Sequence, residues 1–445
     1  MDKQKKSLMD RLTDFTNKIS ELLGRFANTD IISSVVAGLV SVTPIIMIGS
    51  IFLILYVLGS PDVGTSGKPL IGFLAPWATK FSWMNSLTMN MMSLYCAVAI
   101  PYHYGQKKKM NTLTCSLLGL ATFLIFTING YDEAGGILVT AFSATGLFVC
   151  IITSIIGVQI LKFFLDRNIT IKMPDSVPPN VGNAFGALLP FATIFSLAWI
   201  IRTIMNFDMV SWLNTILEPI ITSSDSLWMA MFVTFVCLLL WSVGLHGDNM
   251  FLALFTPFGL MWVDQNASAL ADGVSKYDLP NILAGLGNTG LIRLTVWTAA
   301  VWPLLFLMII SKKKQFRTIG FTALAPGIFT IVEPVIYGLP IALNPYLMIP
   351  FILSGTISSG IGYLLMSTSF FGKFYAVVPW ATPPFLLGPL GTGDVKTALI
   401  PIISFAVGMV IYLPFWKVYN QSIDAEEQQK LEEASAAEMI QPNEA

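Results

Sequence analysis

Long apolar runs recur along this chain, separated by short polar stretches that hold most of its charges. A helix needs about 20 mainly apolar residues to cross the ~30 Å hydrocarbon core of a bilayer. By that measure the pattern predicts crossings over residues 31–58, 83–104, 112–129, 137–164, 184–202, 226–245, 291–311, 345–366 and 397–416. Ahead of the first crossing, Leu8, Leu12, Phe15, Ile19, Leu22 and Phe26 recur at helical spacing with Lys, Arg and Asp between them. That is the pattern of an amphipathic helix lying in the membrane interface. The start, MDKQKKSLMDRLTDF, is too polar for a cleavable secretory signal, so the first apolar run is expected to remain as a transmembrane helix.

Charge position orients these spans. Basic residues cluster at Lys3, Lys5 and Lys6, at 107–109, at Lys162, Arg167 and Lys172, and at Lys312, Lys313, Lys314 and Arg317. Loops rich in Lys and Arg stay in the cytoplasm, which puts the N-terminus inside. Only three strong spans separate Lys172 from Lys312, however, and parity requires a fourth. The short run NMFLALFTPFGLMWV, 249–263, supplies it, although a Pro-containing run of that length also suits a partly re-entrant segment. The expectation is ten transmembrane helices with both termini cytoplasmic.

Two stretches break the pattern. Residues 267–290 mix charges with a Gly-rich end, and residues 318–344 are apolar but interrupted by Pro326, Pro334 and Pro340. Backbone that leaves the helix at membrane depth survives only when buried in protein or lining a wet cavity, and paired broken segments point to a transporter's binding site. Both are expected to be re-entrant hairpins. The fold class is therefore an all-α polytopic membrane protein. Residues 1–30 form the interfacial helix, and the polar tail at 420–445 is assigned no chemistry.

Composition agrees. Of 445 residues, 54% are hydrophobic and 11% charged, where soluble domains carry about 25% charged residues. A net charge of -1 spread over loops gives no nucleic-acid footprint. The four cysteines, Cys96, Cys115, Cys150 and Cys237, lie in apolar segments at unrelated spacings and read as packing residues. Two histidines offer no metal constellation, and no Walker A sequence, dinucleotide fingerprint or nucleophile elbow occurs. No cofactor or metal is expected.

Against that background Glu333 stands out, since APGIFTIVEPVIYGLP carries the only charge between Arg317 and Lys373. An ionised carboxylate at membrane depth costs at least about 2.5 kcal/mol, so it faces a polar cavity or is protonated, and such residues are functional by default. The structural alternative is a carboxylate capping a broken helix or pairing with a lysine. His246 in WSVGLHGDN is flanked by Gly244 and Gly247, which allow a ligand or other backbone to approach an imidazole able to donate, accept or charge. It also suits a plain interfacial histidine, as His103 beside the basic run does. Asn180 and Asn183 in MPDSVPPNVGNAF carry amides that suit sugar hydroxyls, or else cap a rigid turn. Asn344 joins them by polarity and position. Trp380 in VPWATPP is a candidate stacking surface for a sugar, among eleven tryptophans that mostly serve belts and cores.

Four motifs, MPDSVPPNVGNAF, WSVGLHG, APGIFTIVEPVIYGLPIALNP and VPWATPPFLLGPLGTGD, in this order and at these separations, change the picture. The chain resembles the membrane IIC component of the lactose/cellobiose branch of the bacterial phosphoenolpyruvate-dependent sugar phosphotransferase system, over nearly its whole length. The resemblance implies a homodimer in the bacterial plasma membrane, with residues 31–202 making most of the dimer contact and residues 203–419, with both hairpins, forming the sugar site. It implies a sugar captured outside, carried across by movement of the sugar-binding domain, and phosphorylated on a hydroxyl by a phosphocysteine of a separate IIB protein. By motif position the family's histidine and glutamate are His246 and Glu333. This chain has no complete catalytic site of its own, so the phosphoryl donor acts in trans. Thr330 and Val332 stand where the family commonly has asparagines, and GLGNTGLIRLT puts Arg293 at the start of a span. The expected substrate is a β-linked disaccharide, cellobiose first, then lactose or diacetylchitobiose. A proton-coupled symporter using Glu333 as carrier, and a membrane sugar sensor, are the alternatives.

Overall fold

The computed structural model describes residues 29–60, 71–131, 137–139, 141–171, 179–287, 289–339 and 344–440, together with Arg25, Pro69, Pro174 and Ile341. Apart from Arg25, the interfacial helix expected over 8–26 lies outside the described residues.

The first long helix, α1 (Asp30–Gly59), opens at Thr29, whose hydroxyl accepts from the Ile32 N–H at 3.4 Å. Beyond Asp30 it holds no charge, so nothing but helix-internal hydrogen bonding is asked of its backbone. It packs on α2 (Ala78–Thr88) and α3 (Met92–Lys107). Gly38 makes that contact possible: a Cβ there would stand 2.5 Å from the Ile100 side chain and 2.9 Å from its backbone. At the charged end of the pair, Lys108 Nζ meets Asp30 Oδ2 at 2.7 Å. That hydrogen bond holds the Lys108 ammonium above its ordinary pKa.

The span expected over 83–104 is broken. Helix α2 stops at Thr88, a 3-10 turn covers Met89–Met91, and α3 restarts at Met92. The Thr88 hydroxyl bonds back to the Met84 and Asn85 carbonyls, and the Tyr95 hydroxyl donates to the Leu87 carbonyl at 2.7 Å, so the break leaves that carbonyl satisfied. Helix α4 (Thr112–Thr127) then packs on α3 and α5 (Leu147–Asp166). Between α4 and α5 the all-helical fold carries one short hairpin. Strands β1 (Ile128–Tyr131) and β2 (Ile137–Val139) pair antiparallel, Ile128 opposite Val139. The start of the expected 137–164 span is thus a strand, and its helix begins ten residues later, at Leu147. Helix α6 (Pro179–Trp199) runs into a π-turn, Ile200–Ile204.

Helix α7 (Met209–Ser224), which the apolar pattern left unassigned, starts where Asp208 Oδ1 accepts from the Val210 and Ser211 N–H groups. Its neighbour α8 (Leu227–Ser242) leads to the short turn of helix α9 (Gly247–Met250), a 3-10 stretch, Leu252–Phe255, and α10 (Thr256–Ala271). The expected 249–263 crossing is therefore an interrupted segment whose main helix extends to Ala271. Two of the polar residues that blurred its end, Asp264 and Asn266, are buried and satisfied. Asp264 accepts from the Ser143 hydroxyl and the Ala144 N–H. Asn266 Nδ2 donates to the Asn281 and Phe374 carbonyls, both at 2.7 Å, while its Oδ1 accepts from the Asn281 N–H at 2.9 Å.

Residues 272–287 leave the helix, and their inner part is buried. Asp225 supplies what this backbone lacks: its two carboxylate oxygens accept from the Ile282 and Leu283 N–H groups at 2.7 and 2.9 Å. Gly259 lets the same segment cross α10, since a Cβ would lie 1.9 Å from the Leu286 carbonyl oxygen. Helices α11 (Gly290–Ala300) and α12 (Trp302–Ile309) form one interrupted span, followed by α13 (Lys314–Ile328), the short α14 (Glu333–Gly338), α15 (Pro345–Ser367), α16 (Pro384–Thr392) and α17 (Ile400–Ile440). Helix α15 packs against α8, α11 and α17 at the centre of this half. A hydrogen bond from the Val377 N–H to Ser50 Oγ, 2.9 Å, ties this half to α1.

Among the described residues six helices are long and apolar enough to cross a bilayer: Asp30–Gly59, Ala144–Asp166, Phe185–Ile204, Gly290–Ile309, Tyr346–Ser367 and Val395–Ala425. Shorter apolar helices, Thr112–Thr127, Met209–Ile221 and Leu227–Ser242, accompany them. The protein is a multi-pass membrane protein.

Candidate functional site

His246 and Glu333, 87 residues apart in sequence, face each other with Nε2 and Oε1 separated by 3.6 Å. Each is held at the start of a short helix that follows a break. After α8, Gly244 takes a φ of +85°, a conformation that favours glycine, and turns the chain so that His246 becomes the N-cap of α9. There its Nδ1 accepts from the Asn249 N–H at 3.3 Å. In the neutral ring that bond assigns the proton to Nε2, the nitrogen facing the carboxylate. Underneath, the ring lies against Trp241, fully buried, with centroids 4.3 Å apart.

Glu333 is the first residue of α14, with Pro334 behind it at a position where a missing N–H costs nothing. The chain reverses just before it, and Thr330 adopts a φ of +58° while 1% exposed. A buried β-branched residue in the left-handed region is strained and persists only where its surroundings hold it. Here the Thr330 hydroxyl reaches the Trp380 carbonyl at 3.5 Å. The His246 and Glu333 side chains are 36% and 41% exposed, so both are supported from behind and open in front. A separation of 3.6 Å is an ion-pair distance, too long for a hydrogen bond.

The breaks in this region share one buried cation. Arg293, on α11 and 9% exposed, donates from Nη1 to Asp248 Oδ2 at 3.1 Å and from Nε to the Trp380 carbonyl at 3.1 Å. Its guanidinium lies 5.2 Å from the Trp380 ring centroid and 6.0 Å from that of Trp297. Asp248 Oδ1 in turn accepts from Cys237 Sγ at 3.2 Å. Asp248, Trp241 and the role of Arg293 were not picked out from the sequence. The available signal was that Arg293 is the only charge between Asp278 and Lys312, so it needs a carboxylate from elsewhere.

The remaining sequence candidates divide. Trp380 joins the site through its carbonyl, which bonds to Arg293 and Thr330, and its side chain is 47% exposed. Asn344 is the N-cap of α15, its Oδ1 accepting from the Tyr346 N–H at 3.0 Å. The side chains of Asn180 and Asn183 lie outside the described residues. His103 bonds to the Ser41 hydroxyl at 2.9 Å. A cavity of about 450 Å³ lies elsewhere, between the end of α3 and helices α4, α5 and α6, and its described lining includes Lys108, Lys109, Asn111 and Lys162 but not His246, Glu333, Asn344 or Trp380. Among the described residues no group of three or more His, Cys, Asp or Glu is arranged to hold a metal.

The family model for the phosphotransferase system EIIC matches residues 36–355. The chain belongs to that family. EIIC proteins are the membrane sugar-transport components of the system, and they work with IIB domains. The lichenan permease IIC component of Bacillus subtilis (strain 168) is 31% identical over 448 residues, covering 95% of each chain. The cellobiose-specific EIIC component of Geobacillus stearothermophilus is 30% identical over 446 residues, covering 96% of this chain and 97% of that one. Among solved structures, the transporter ChbC, the IIC component from the N,N'-diacetylchitobiose-specific phosphotransferase system, superposes with a TM-score of 0.82 at 30% identity, covering 93% of this EIIC chain and 99% of ChbC.

Proposed function

We propose that this EIIC protein imports a β-linked disaccharide, cellobiose first, and that a phosphorylated IIB protein phosphorylates the sugar at Glu333 and His246. Relatives named for lichenan, cellobiose and diacetylchitobiose support the substrate class. The observation that carries the reading is the pair itself: an imidazole Nε2 opposite a carboxylate oxygen at 3.6 Å, both open in front, at the junction of two broken segments. A sugar hydroxyl between them accepts from Nε2–H and donates to Oε1. The hydroxyl oxygen then attacks phosphorus, the P–S bond to the IIB cysteine breaks, thiolate leaves, and the hydroxyl proton passes to Glu333 as general base. His246 steadies charge on the transferring phosphoryl group. Trp380 offers a face for stacking, and Asn180, Asn183 and the Asn344 amide are further contacts to sugar hydroxyls.

The same reading includes ten crossings with both termini cytoplasmic, residues 267–290 and 318–344 as re-entrant hairpins, and a homodimer joined through residues 31–202, with residues 203–419 as the sugar-binding domain. The test is uptake of radiolabelled cellobiose into vesicles holding the protein, with and without phosphorylated IIB inside. Sugar phosphate formed only with IIB is the expected result. Partner-independent accumulation of free cellobiose makes the protein a symporter with Glu333 as proton site, and binding without uptake makes it a sensor.

A further inference from the structure

Among the described residues no hydrogen bond or ion pair joins Arg293 to His246 or Glu333, yet the loops of both hang from it. On one side its ion pair holds Asp248, two residues beyond His246 in the turn that begins α9. On the other its Nε holds the Trp380 carbonyl, which also receives the hydroxyl of Thr330, three residues before Glu333 in a strained turn. Segments far apart in sequence, at 246–250 and 380, meet on one planar guanidinium, and 329–333 joins them through the shared Trp380 carbonyl. Its rigid fork of donors serves two acceptors at once, which an ammonium on a flexible stem does not match. The side chains of the pair are 10% and 18% exposed, with the Cys237 thiol on Asp248 and the Trp297 and Trp380 rings beside the guanidinium.

We propose that Arg293 is a positioning residue: it sets the separation of His246 and Glu333 by tying the loops that carry them to α11. The inference rests on the reading of that pair as the sugar site. It predicts a specific defect. A lysine at 293 keeps the positive charge that half-buried Asp248 faces and drops the second tie, to Trp380. Sugar binding is then largely kept while phosphoryl transfer, which needs the reacting groups within a fraction of an ångström, falls.

The experiment uses R293K and the uncharged pair D248N/R293Q, each checked for a monodisperse elution profile in detergent. Cellobiose binding is followed by tryptophan fluorescence without IIB, and cellobiose-phosphate formation is measured in vesicles with phosphorylated IIB. Loss of one charge-assisted hydrogen bond predicts a fall of about tenfold or more in maximal turnover with binding changed less than about threefold. D248N/R293Q removes both charges, so no unpaired ion is left to unfold it, and it shows the same turnover defect. Turnover within about twofold of wild type in either folded variant overturns the proposal, the equivalent of under about 0.5 kcal/mol.

A second readout does not depend on transfer. The chain has two histidines, so in a H103N background the ¹⁵N imidazole signals report His246 alone. R293K is expected to move those signals, and unmoved signals count against the tie. Should wild type bind cellobiose but form no sugar phosphate with IIB, the proposed function fails while the imidazole signals still decide the positioning role.

Discussion

Replacing Glu333 by Gln separates chemistry from packing at this site. The two side chains have the same shape, the Glu333 side chain is 41% exposed, and among the described residues its ionisable neighbour is His246 at 3.6 Å. An ion pair this open and this long is worth at most about 1 kcal/mol, so folding and sugar affinity are expected to change less than about fivefold. Loss of the general base is a different magnitude, about 10² to 10⁴ in rate, or roughly 3 to 5 kcal/mol of transition-state stabilisation. The amide still accepts a hydrogen bond from the sugar hydroxyl but does not take its proton. Steady-state cellobiose-phosphate formation with phosphorylated IIB in vesicles, beside cellobiose binding without it, resolves the two effects. A Gln variant that turns over within tenfold of wild type would refute the assignment of Glu333 as base. One that neither binds nor elutes as a folded protein would show the carboxylate to be structural, the capping role that the sequence left open.

Three further predictions concern the frame. Asp225→Ala removes the acceptor for the Ile282 and Leu283 N–H groups in a buried non-helical segment. Two hydrogen bonds to a charged group are lost, so a loss of about 3 kcal/mol or more is expected, seen as a lower melting temperature in detergent and early proteolysis of residues 272–287. Gly38→Val forces a side chain into the 2.5 Å gap to Ile100 and is expected to cost about 1 to 3 kcal/mol, with Gly38→Ala milder by the same thermal assay. Asp30→Asn removes an ion pair whose side chains are 27% and 47% exposed, and melting is expected to shift by the equivalent of less than about 1 kcal/mol, less again in high salt.

What sequence alone determined here follows from the solvent. In a bilayer every backbone polar group must be satisfied within the protein, so long apolar runs become helices whatever they pack against, and a lone carboxylate among them marks a site. That logic sufficed for α1, α5, α11 with α12, α15 and α17 and for the irregularity near 267–290 and 318–344, and it made Glu333 a candidate, while His246 became one through its flanking glycines and its motif. It failed where tertiary contact overrides composition. Asp264 and Asn266 look too polar for the interior of a segment, yet Ser143, Asn281 and Phe374 complete their hydrogen bonds. The break at Thr88–Met92 and the strand at Ile137–Val139 occur inside apolar runs that read as continuous helix, because backbone groups there find partners in neighbouring segments. Asn344 caps α15 through its Oδ1, and polarity alone does not tell an amide that only holds a backbone N–H from one that also meets a ligand. The meeting of His246 with Glu333, and their common suspension from Arg293, belongs to tertiary structure alone. Spacing along a chain says which side chains share a helix face, but two helix starts separated by 87 residues come within 3.6 Å only through the packing of everything between them.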